Sequence, residues 1–227
     1  MRTVPQTIRT LTDFAPASVE RGVGLALQAD DGRYLFFLAG KRHRCPPGER
    51  FYAGIGGHVE AGEDWLSCAR REAREEIHAE VDILPAETTW HIPRDGPAQP
   101  LRLAGAPPPL ALYEMIHPPG TPRAGRLYRI VIFRARVRGV PGPFPPDEVL
   151  GLLALTPRQV MLGPERRPTL SQLLAEGATL IAGETEVSPQ TRLYPLGTAM
   201  ALARVLPCVT LLKKAKILPL SAQRTPR

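Results

Sequence analysis

Glu72, Glu75 and Glu76 stand at positions i, i+3 and i+4. On an α-helix that spacing places three carboxylates on one face. Left to themselves they repel one another by about 0.2–0.5 kcal/mol per pair. A hard divalent cation converts the repulsion into oxygen ligation, and Mg²⁺ favours a few carboxylates completed by phosphate oxygens and water. The spacing therefore suggests a metal–phosphate site on a helix. Arg70, Arg71 and Arg74 interleave with the glutamates. Taken alone, the same pattern also describes a solvated helix face with i,i+4 charge pairs.

The helix that must carry these groups has the best apolar period in the chain. Trp65, Leu66, Ala69, Ala73 and Ile77 recur at three- and four-residue spacing within Glu63 to Ala79 and make one stripe. Glu76 lies nearest the edge of that stripe. Ahead of it come Gly56-Gly57, Glu60, Gly62 and Glu63. The segment Gly57 to Ala79, GHVEAGEDWLSCARREAREEIHA, resembles the signature of the Nudix hydrolase family. That signature is Gly, five residues, Glu, seven residues, Arg-Glu, an apolar residue, any residue, Glu-Glu, any residue, Gly and an apolar residue. Gly57, Glu63, Arg71, Glu72, Glu75 and Glu76 match it. Six such matches arise by chance in about 2 × 10⁻⁷ of windows of this composition, so composition does not explain them. His78 stands in place of the second fixed Gly, and Ala73 and Ala79 fill positions usually held by larger aliphatics. Gly ends a helix by relaxing the backbone. His78 implies another C-cap or a left-handed residue, which His tolerates better than most.

The resemblance implies an enzyme that cleaves a pyrophosphate bond in a nucleoside diphosphate derivative, with Mg²⁺ or Mn²⁺ as cofactor and water as nucleophile. It implies that Glu72, Glu75 and Glu76 hold the metal, joined by the Gly56 carbonyl, with Glu75 and Glu76 also serving catalysis. It implies that Arg71 pairs with Glu63 to hold the loop on the helix, while Gly57 lets the backbone approach phosphates closely. The general base in the family is often a glutamate outside the signature. Glu148, before the last strand of the pattern, is the first candidate and Glu114 the second; Glu60 is a further candidate at the metal. Arg42, His43 and Arg44 precede the signature loop and would clamp phosphates or form an exposed basic loop. Arg42, Arg44 and Glu114 are thus the substrate-side candidates. Trp90, Phe51, Tyr52 and Tyr113 are the candidates for stacking on a base, whereas Trp65 belongs with the core. His58 reads as a substrate-side or surface residue and not a metal ligand, because no His or Cys stands at metal-site spacing from it.

The rest of the chain supplies the frame. Val23 to Gln28 and Tyr34 to Ala39, separated by Asp30-Asp31-Gly32, predict a β-hairpin. Further strands are predicted in Val81 to Ile92, broken at Pro85, in Leu110 to Ile116, in Leu127 to Val137 and in Val149 to Leu155. Residues 118–125 are the expected connection between the second and third of these. Arg134, Arg136 and Arg138 read as the wet face of their strand. Pro93 to Pro109 reads as loop. Pro157 to Met161, Thr169 to Glu176 and Leu196 to Leu206 read as helical, and Leu211 to Arg227 as a tail that docks or lies loose. The expected class is α/β, a Nudix-like α/β/α sandwich with a mixed β-sheet, followed by a mainly helical C-terminal extension. The corresponding division is 1–165 for the Nudix-like domain and 166–227 for the extension.

The chain has 227 residues, 43% hydrophobic and 22% charged, enough for a sizeable core and ordinary for a soluble domain. Three separated cysteines form neither a disulfide framework nor a zinc pattern. No membrane span or targeting segment is read, so the expected location is cytoplasmic. The formal net charge of +7 is carried almost wholly by Arg, which favours an anionic partner or reflects coding bias. The expected partner is a nucleotide-type small molecule, with no membrane and no nucleic acid, and the apolar helix Leu196 to Leu206 suits a homodimer or lid element. The alternative is a Nudix-type nucleotide sensor or transcriptional regulator whose extension binds nucleic acid. That extension lacks a basic recognition helix, since Leu196 to Leu206 carries only Arg204.

Overall fold

The computed structural model describes residues 8–105, 107–118, 123–183 and 185–217. β1 (Arg21–Gln28) and β2 (Tyr34–Ala39) form the expected antiparallel hairpin, with Leu27 opposite Leu35. Gly32 takes φ 85° in the turn, a left-handed conformation that favours glycine. β3 (Glu49–Ala53) pairs with β2, and α2 (Trp65–Ile77) follows α1 (Leu11–Phe14) as the second helix. The segment broken at Pro85 gives two strands, β4 (Glu80–Leu84) and β5 (Thr89–Ile92). The predicted Pro/Gly loop holds the short strand β6 (Gln99–Leu101), and β7 (Ala111–Ile116), β8 (Leu127–Arg138) and β9 (Val149–Leu155) follow. Of the connection expected over 118–125, residues 119–122 lie outside the described residues.

The sheet is mixed. β1 runs parallel to β8, with Val23 opposite Val131, whereas β7 and β4 meet β8 antiparallel. Both faces are covered, so the central strands are apolar on both parities. Leu35, Phe37, Val131, Phe133, Leu152 and Ala154 face one core together with Cys68, Ala69, Ala73 and Ile77 of α2. Phe36, Leu38, Ile130, Ile132, Leu150 and Leu153 face the other. That second core is closed by α3 (Pro157–Arg166), α4 (Leu170–Ala175) and α5 (Thr198–Ile217), through Val160, Leu170, Leu173, Leu202 and Val205. This is the expected α/β/α sandwich. On β8, Tyr128, Ile130 and Ile132 are buried; further along, Arg134 donates to the Pro85 carbonyl, and Arg136 and Arg138 form solvent-facing ion pairs with Asp30 and Asp82.

The boundary expected at residue 165 cuts through this structure. Beyond it, β10 (Thr179–Ala182) joins the sheet at β9, and β11 (Arg192–Pro195) joins it at β3 in parallel. α5 seats its buried Thr198 in a notch of glycines: a Cβ at Gly24 would lie 2.0 Å from the Thr198 hydroxyl, and one at Gly54 2.7 Å from its Cβ. Arg204 donates to the carbonyls of Pro93 and Gly96. The residues after 165 therefore add helices and two strands to the same sandwich. The physical reason is the apolar composition of the 196–206 helix, which has a sheet face to bury. The tail expected from Leu211 begins inside α5, and residues 218–227 lie outside the described residues.

Candidate functional site

α2 starts at Asp64, whose Oδ1 accepts from the Leu66 and Ser67 N–H groups at 2.9 and 3.0 Å. Such a cap contributes about 1 kcal/mol and fixes where the helix begins. Its buried residues Cys68, Ala69, Ala73 and Ile77 pack on the sheet, while Trp65 is only partly buried beneath Arg21. That orientation turns Glu72 and Glu76 toward the Gly56–Gly57 turn. The helix ends at His78, which adopts φ 47°, ψ 39° and places its ring nitrogen against the Pro143 carbonyl. The residue standing where the signature has Gly thus keeps the left-handed backbone that Gly would supply.

The turn and the carboxylates are in direct contact. Gly56 N–H donates to Glu76 Oε2 at 3.1 Å. A Cβ on Gly57 would lie 2.3 Å from Glu72 Oε1, and one on Gly56, at φ 147°, would lie 2.2 Å from the Val23 carbonyl. Side chains are excluded at both positions. The carbonyls of Ile55 and Gly57 accept from Leu25 and Val23, which fixes the turn to β1 and leaves the Gly56 carbonyl outside that pairing.

Arg71 joins the loop to the helix. Its Nε and Nη2 donate to the two oxygens of Glu63 at 2.9 and 3.0 Å, a bidentate pair. Nη1 lies 2.9 Å from both Glu72 Oε1 and Glu75 Oε2, and Nη2 also donates to the His58 carbonyl. The Arg71 guanidinium holds the Glu63 carboxyl below its usual value. Burial pushes Glu72 up against the opposing pull of Arg71. Burial also pushes Glu76 well above the ordinary carboxylate range, with Glu72, Glu148 and Glu75 adding to it and the Gly56 N–H opposing. Burial, with Glu63 and Glu72 beside it, carries the Cys68 thiol to about 12, so this cysteine is inert at neutral pH. Crowded carboxylates and a side-chain-free turn form a donor set of hard oxygens, which fits Mg²⁺ or Mn²⁺.

Glu148 reaches this group from the loop before β9. Its carboxylate is near enough to raise Glu76, its carbonyl accepts from Gly40 N–H, and its side chain pairs with Arg42. Arg44 is exposed on the same loop as Arg42, and Glu60 is exposed in the signature loop. His43 is half-buried against the rings of Phe37 and Phe51. Glu114 is not brought to α2: it lies on β7 beside His91 and Arg129, at 3.7 and 3.9 Å, and His91 holds its carboxyl below the usual value. The aromatic residues expected to stack on a base are also elsewhere. Phe51, Tyr52, Trp90 and Tyr113 are all buried in the two cores, because the strands are covered on both faces. Trp90 borders a pocket under α5 with Tyr34, Leu110, Arg134 and Leu206, on the face opposite α2.

One cluster has no counterpart in the sequence expectations. Glu20, His58 and His117 come together beside the signature loop, and among the described residues they are the one trio of potential ligand groups with all ligand atoms within 4.8 Å of one another. His58 thus has a histidine partner after all. The spacing of 59 residues between them hides it, and β-sheet pairing, not local sequence, closes the gap. Among the described residues no helix is long and apolar enough to cross a membrane.

Residues 19–174 match the family model of the NUDIX domain. No curated protein matches the chain. Among solved structures, the chain is similar to the ORF135 protein of E. coli, at 14% identity and TM-score 0.45, covering 88% of this chain and 95% of that one. It is similar to a NUDIX hydrolase from Nitrosomonas europaea, at 15% identity and TM-score 0.41, covering 92% and 98%. It is also similar to the MutT protein from Methanosarcina mazei Go1, at 14% identity and TM-score 0.43, covering 70% and 88%.

Proposed function

The chain belongs to the Nudix family of pyrophosphohydrolases, and from that premise we propose that it cleaves a pyrophosphate bond in a nucleoside diphosphate derivative with a divalent metal held on α2. The substrate class is a nucleoside triphosphate, ADP-ribose or a nucleotide sugar. The observation that carries the reading is the contact of the Gly56–Gly57 turn with Glu72 and Glu76. It joins a side-chain-free backbone turn to a crowded pair of buried carboxylates that a divalent cation would bridge to phosphate oxygens.

Glu72, Glu75 and Glu76 would hold Mg²⁺ or Mn²⁺, with the Gly56 carbonyl as a further oxygen donor. When bound, the ion supplies charge neutralisation for the phosphates and a more acidic water. The protein does the positioning. Arg71, anchored bidentately on Glu63, sets the rotamers of Glu72 and Glu75. Glu148 is the proposed proton acceptor for the attacking water, and it pairs with Arg42 from the loop after β2. Arg42 and Arg44 are the proposed phosphate clamps. Glu114, held away from α2 by His91 and Arg129, is left out of the mechanism.

The test is product release from a panel of nucleoside triphosphates, ADP-ribose, nucleotide sugars and dinucleoside polyphosphates in Mg²⁺, for wild type and Glu76→Gln. Pyrophosphatase coupling separates pyrophosphate from phosphate products. Turnover of one class, lost on substitution and on chelation, is the expected result. No turnover of any class in Mg²⁺ or Mn²⁺ would overturn the proposal.

A further inference from the structure

We propose that Glu20, His58 and His117 form a second metal site, distinct from the α2 carboxylates, for a borderline divalent transition metal such as Zn²⁺ or Co²⁺. Three segments supply it: the residue before β1, the turn after Gly57 and the end of β7. The Nε2 atoms of His58 and His117 lie 2.8 and 2.9 Å from Glu20 Oε1. Two imidazoles and one carboxylate suit Zn²⁺ and its neighbours, whereas Mg²⁺ prefers all-oxygen donors.

The site is built in advance. The His58 and His117 rings are 2° from parallel, and both stack on Tyr128, at centroid distances of 4.7 and 5.1 Å. Tyr128 is itself buried, and its hydroxyl occupies the space a side chain at Gly22 would need, 1.7 Å from an ideal Cβ. The backbone of each ligand is also tied. His117 exchanges hydrogen bonds with Gly125 and Arg126, the Glu20 carbonyl accepts from Arg129, and the His58 carbonyl accepts from Arg71.

Hydrogen bonding within the cluster is lopsided. The Glu20 side chain is 8% exposed, and Oε1 meets His58, His117 and Arg123 together. Oε2 is buried with no hydrogen-bond partner, the Arg126 guanidinium being 3.8 Å away. His58 Nε2 faces both the Glu20 carboxylate and the Arg123 guanidinium. As an N–H it suits the first and opposes the second. A cation at this point uses the lone pairs of both imidazoles and gives the idle carboxylate oxygen a partner. Glu20 Oε1 is the oxygen that faces both imidazoles. Arg123, 45% exposed on its loop, supplies positive charge to the same oxygen and is the residue a metal must displace.

The experiment is a Co²⁺ titration of the full chain in saturating Mg²⁺, read by visible d–d absorption and followed by displacement with Zn²⁺. One equivalent of Co²⁺ with the absorption of a nitrogen-ligated site is expected. His117→Asn should weaken it at least about tenfold, Glu76→Gln should leave it unchanged, and Arg123→Ala should tighten it. Arg123→Ala keeps the test sound if His117→Asn does not fold, since its effect has the opposite sign. No absorption from bound Co²⁺, absorption lost with Glu76→Gln, or absorption indifferent to both His117→Asn and Arg123→Ala would each overturn the proposal.

Discussion

The α2 carboxylates and the Glu20–His58–His117 cluster adjoin one another and are built by opposite means. The carboxylates come from three positions of a single helical segment, i, i+3 and i+4, and the helix alone puts them on one face. Yet Arg71 Nη1 stands between Glu72 and Glu75 and holds each in an ion pair. The histidine cluster comes from segments up to 97 residues apart and converges within 4.8 Å. Helical spacing brings like groups near but leaves them free to be parted by a counter-charge. Sheet pairing brings remote groups together and locks them by ring stacking. On the proposed reading the first arrangement would adapt to an ion and a substrate that come and go, and the second would be preset for one geometry.

Loss of Glu76 breaks the comparison most sharply. Glu76→Gln should lower turnover by at least about 10²-fold, since it removes a proposed ligand while keeping the shape. Stability should move the other way. The Glu76 carboxyl lies above its ordinary value of 4.5, through burial and then neighbouring carboxylates. A raised carboxyl pKa gives stability that is fully present below the unfolded value and is lost as pH rises through the folded one. In chelator at neutral pH, Glu76→Gln should therefore melt no lower than wild type. Addition of Mg²⁺ should raise the melting temperature of wild type only. A variant that loses activity and stability together would show Glu76 to be structural.

Arg71 is the next test. Arg71→Lys keeps one charge but loses the fork that spans Glu63, Glu72 and Glu75. The guanidinium is 23% exposed, so the cost falls toward the lower end of that for breaking a buried pair, about 3 kcal/mol. In a chain of this size that is a fall of about 6–12 °C in thermal melts. Mg²⁺ should recover part of it if the ion replaces Arg71 as the partner of the carboxylates. The histidine cluster should be much less affected, with Co²⁺ absorption retained.

Glu20 gives the matching pH test on the other side. Its carboxyl is held at about 2 against an ordinary 4.5. A depressed carboxyl contributes stability above its unfolded pKa and loses it as pH falls toward the folded one. Wild type should therefore lose stability between about pH 4.5 and 2 more steeply than Glu20→Gln. Equal slopes in acid unfolding would show that the three cationic partners do not hold the Glu20 carboxylate in solution.

The contrast also explains what the sequence could say. The α2 motif was legible because period and chemistry lie in one window, and the hairpin because Asp30-Asp31-Gly32 marks its turn. Glu148 was legible only as a glutamate before a strand; its nearness to Glu76 comes from the sheet. Phe51, Tyr52, Trp90 and Tyr113 misled because aromatic type does not reveal which strands are covered on both faces. The role of residues after 165 was hidden for the same reason: Thr198 fits a notch made by Gly24 and Gly54, which nothing local to Thr198 announces. His117 and Glu20 carried no signal at all until β1 and β7 were placed on either side of β8.

The smallest expected effect separates the motif as backbone from the motif as chemistry. His78 caps α2 in the left-handed region, where a Cβ costs about 1–2 kcal/mol. Glycine removes that cost, but it loosens the unfolded chain by about 0.4–1 kcal/mol and loses the exposed contact with the Pro143 carbonyl. His78→Gly should therefore stay within about 1 kcal/mol of wild type, a shift of no more than about 2–4 °C. His78→Ala keeps the strained Cβ and loses the contact, so it should melt below both. Turnover should be unchanged in both variants, because the His78 ring is engaged with the Pro143 carbonyl. A large loss of turnover in His78→Gly with an unchanged melt would place His78 in the chemistry, and the left-handed cap would then be serving the position of its imidazole.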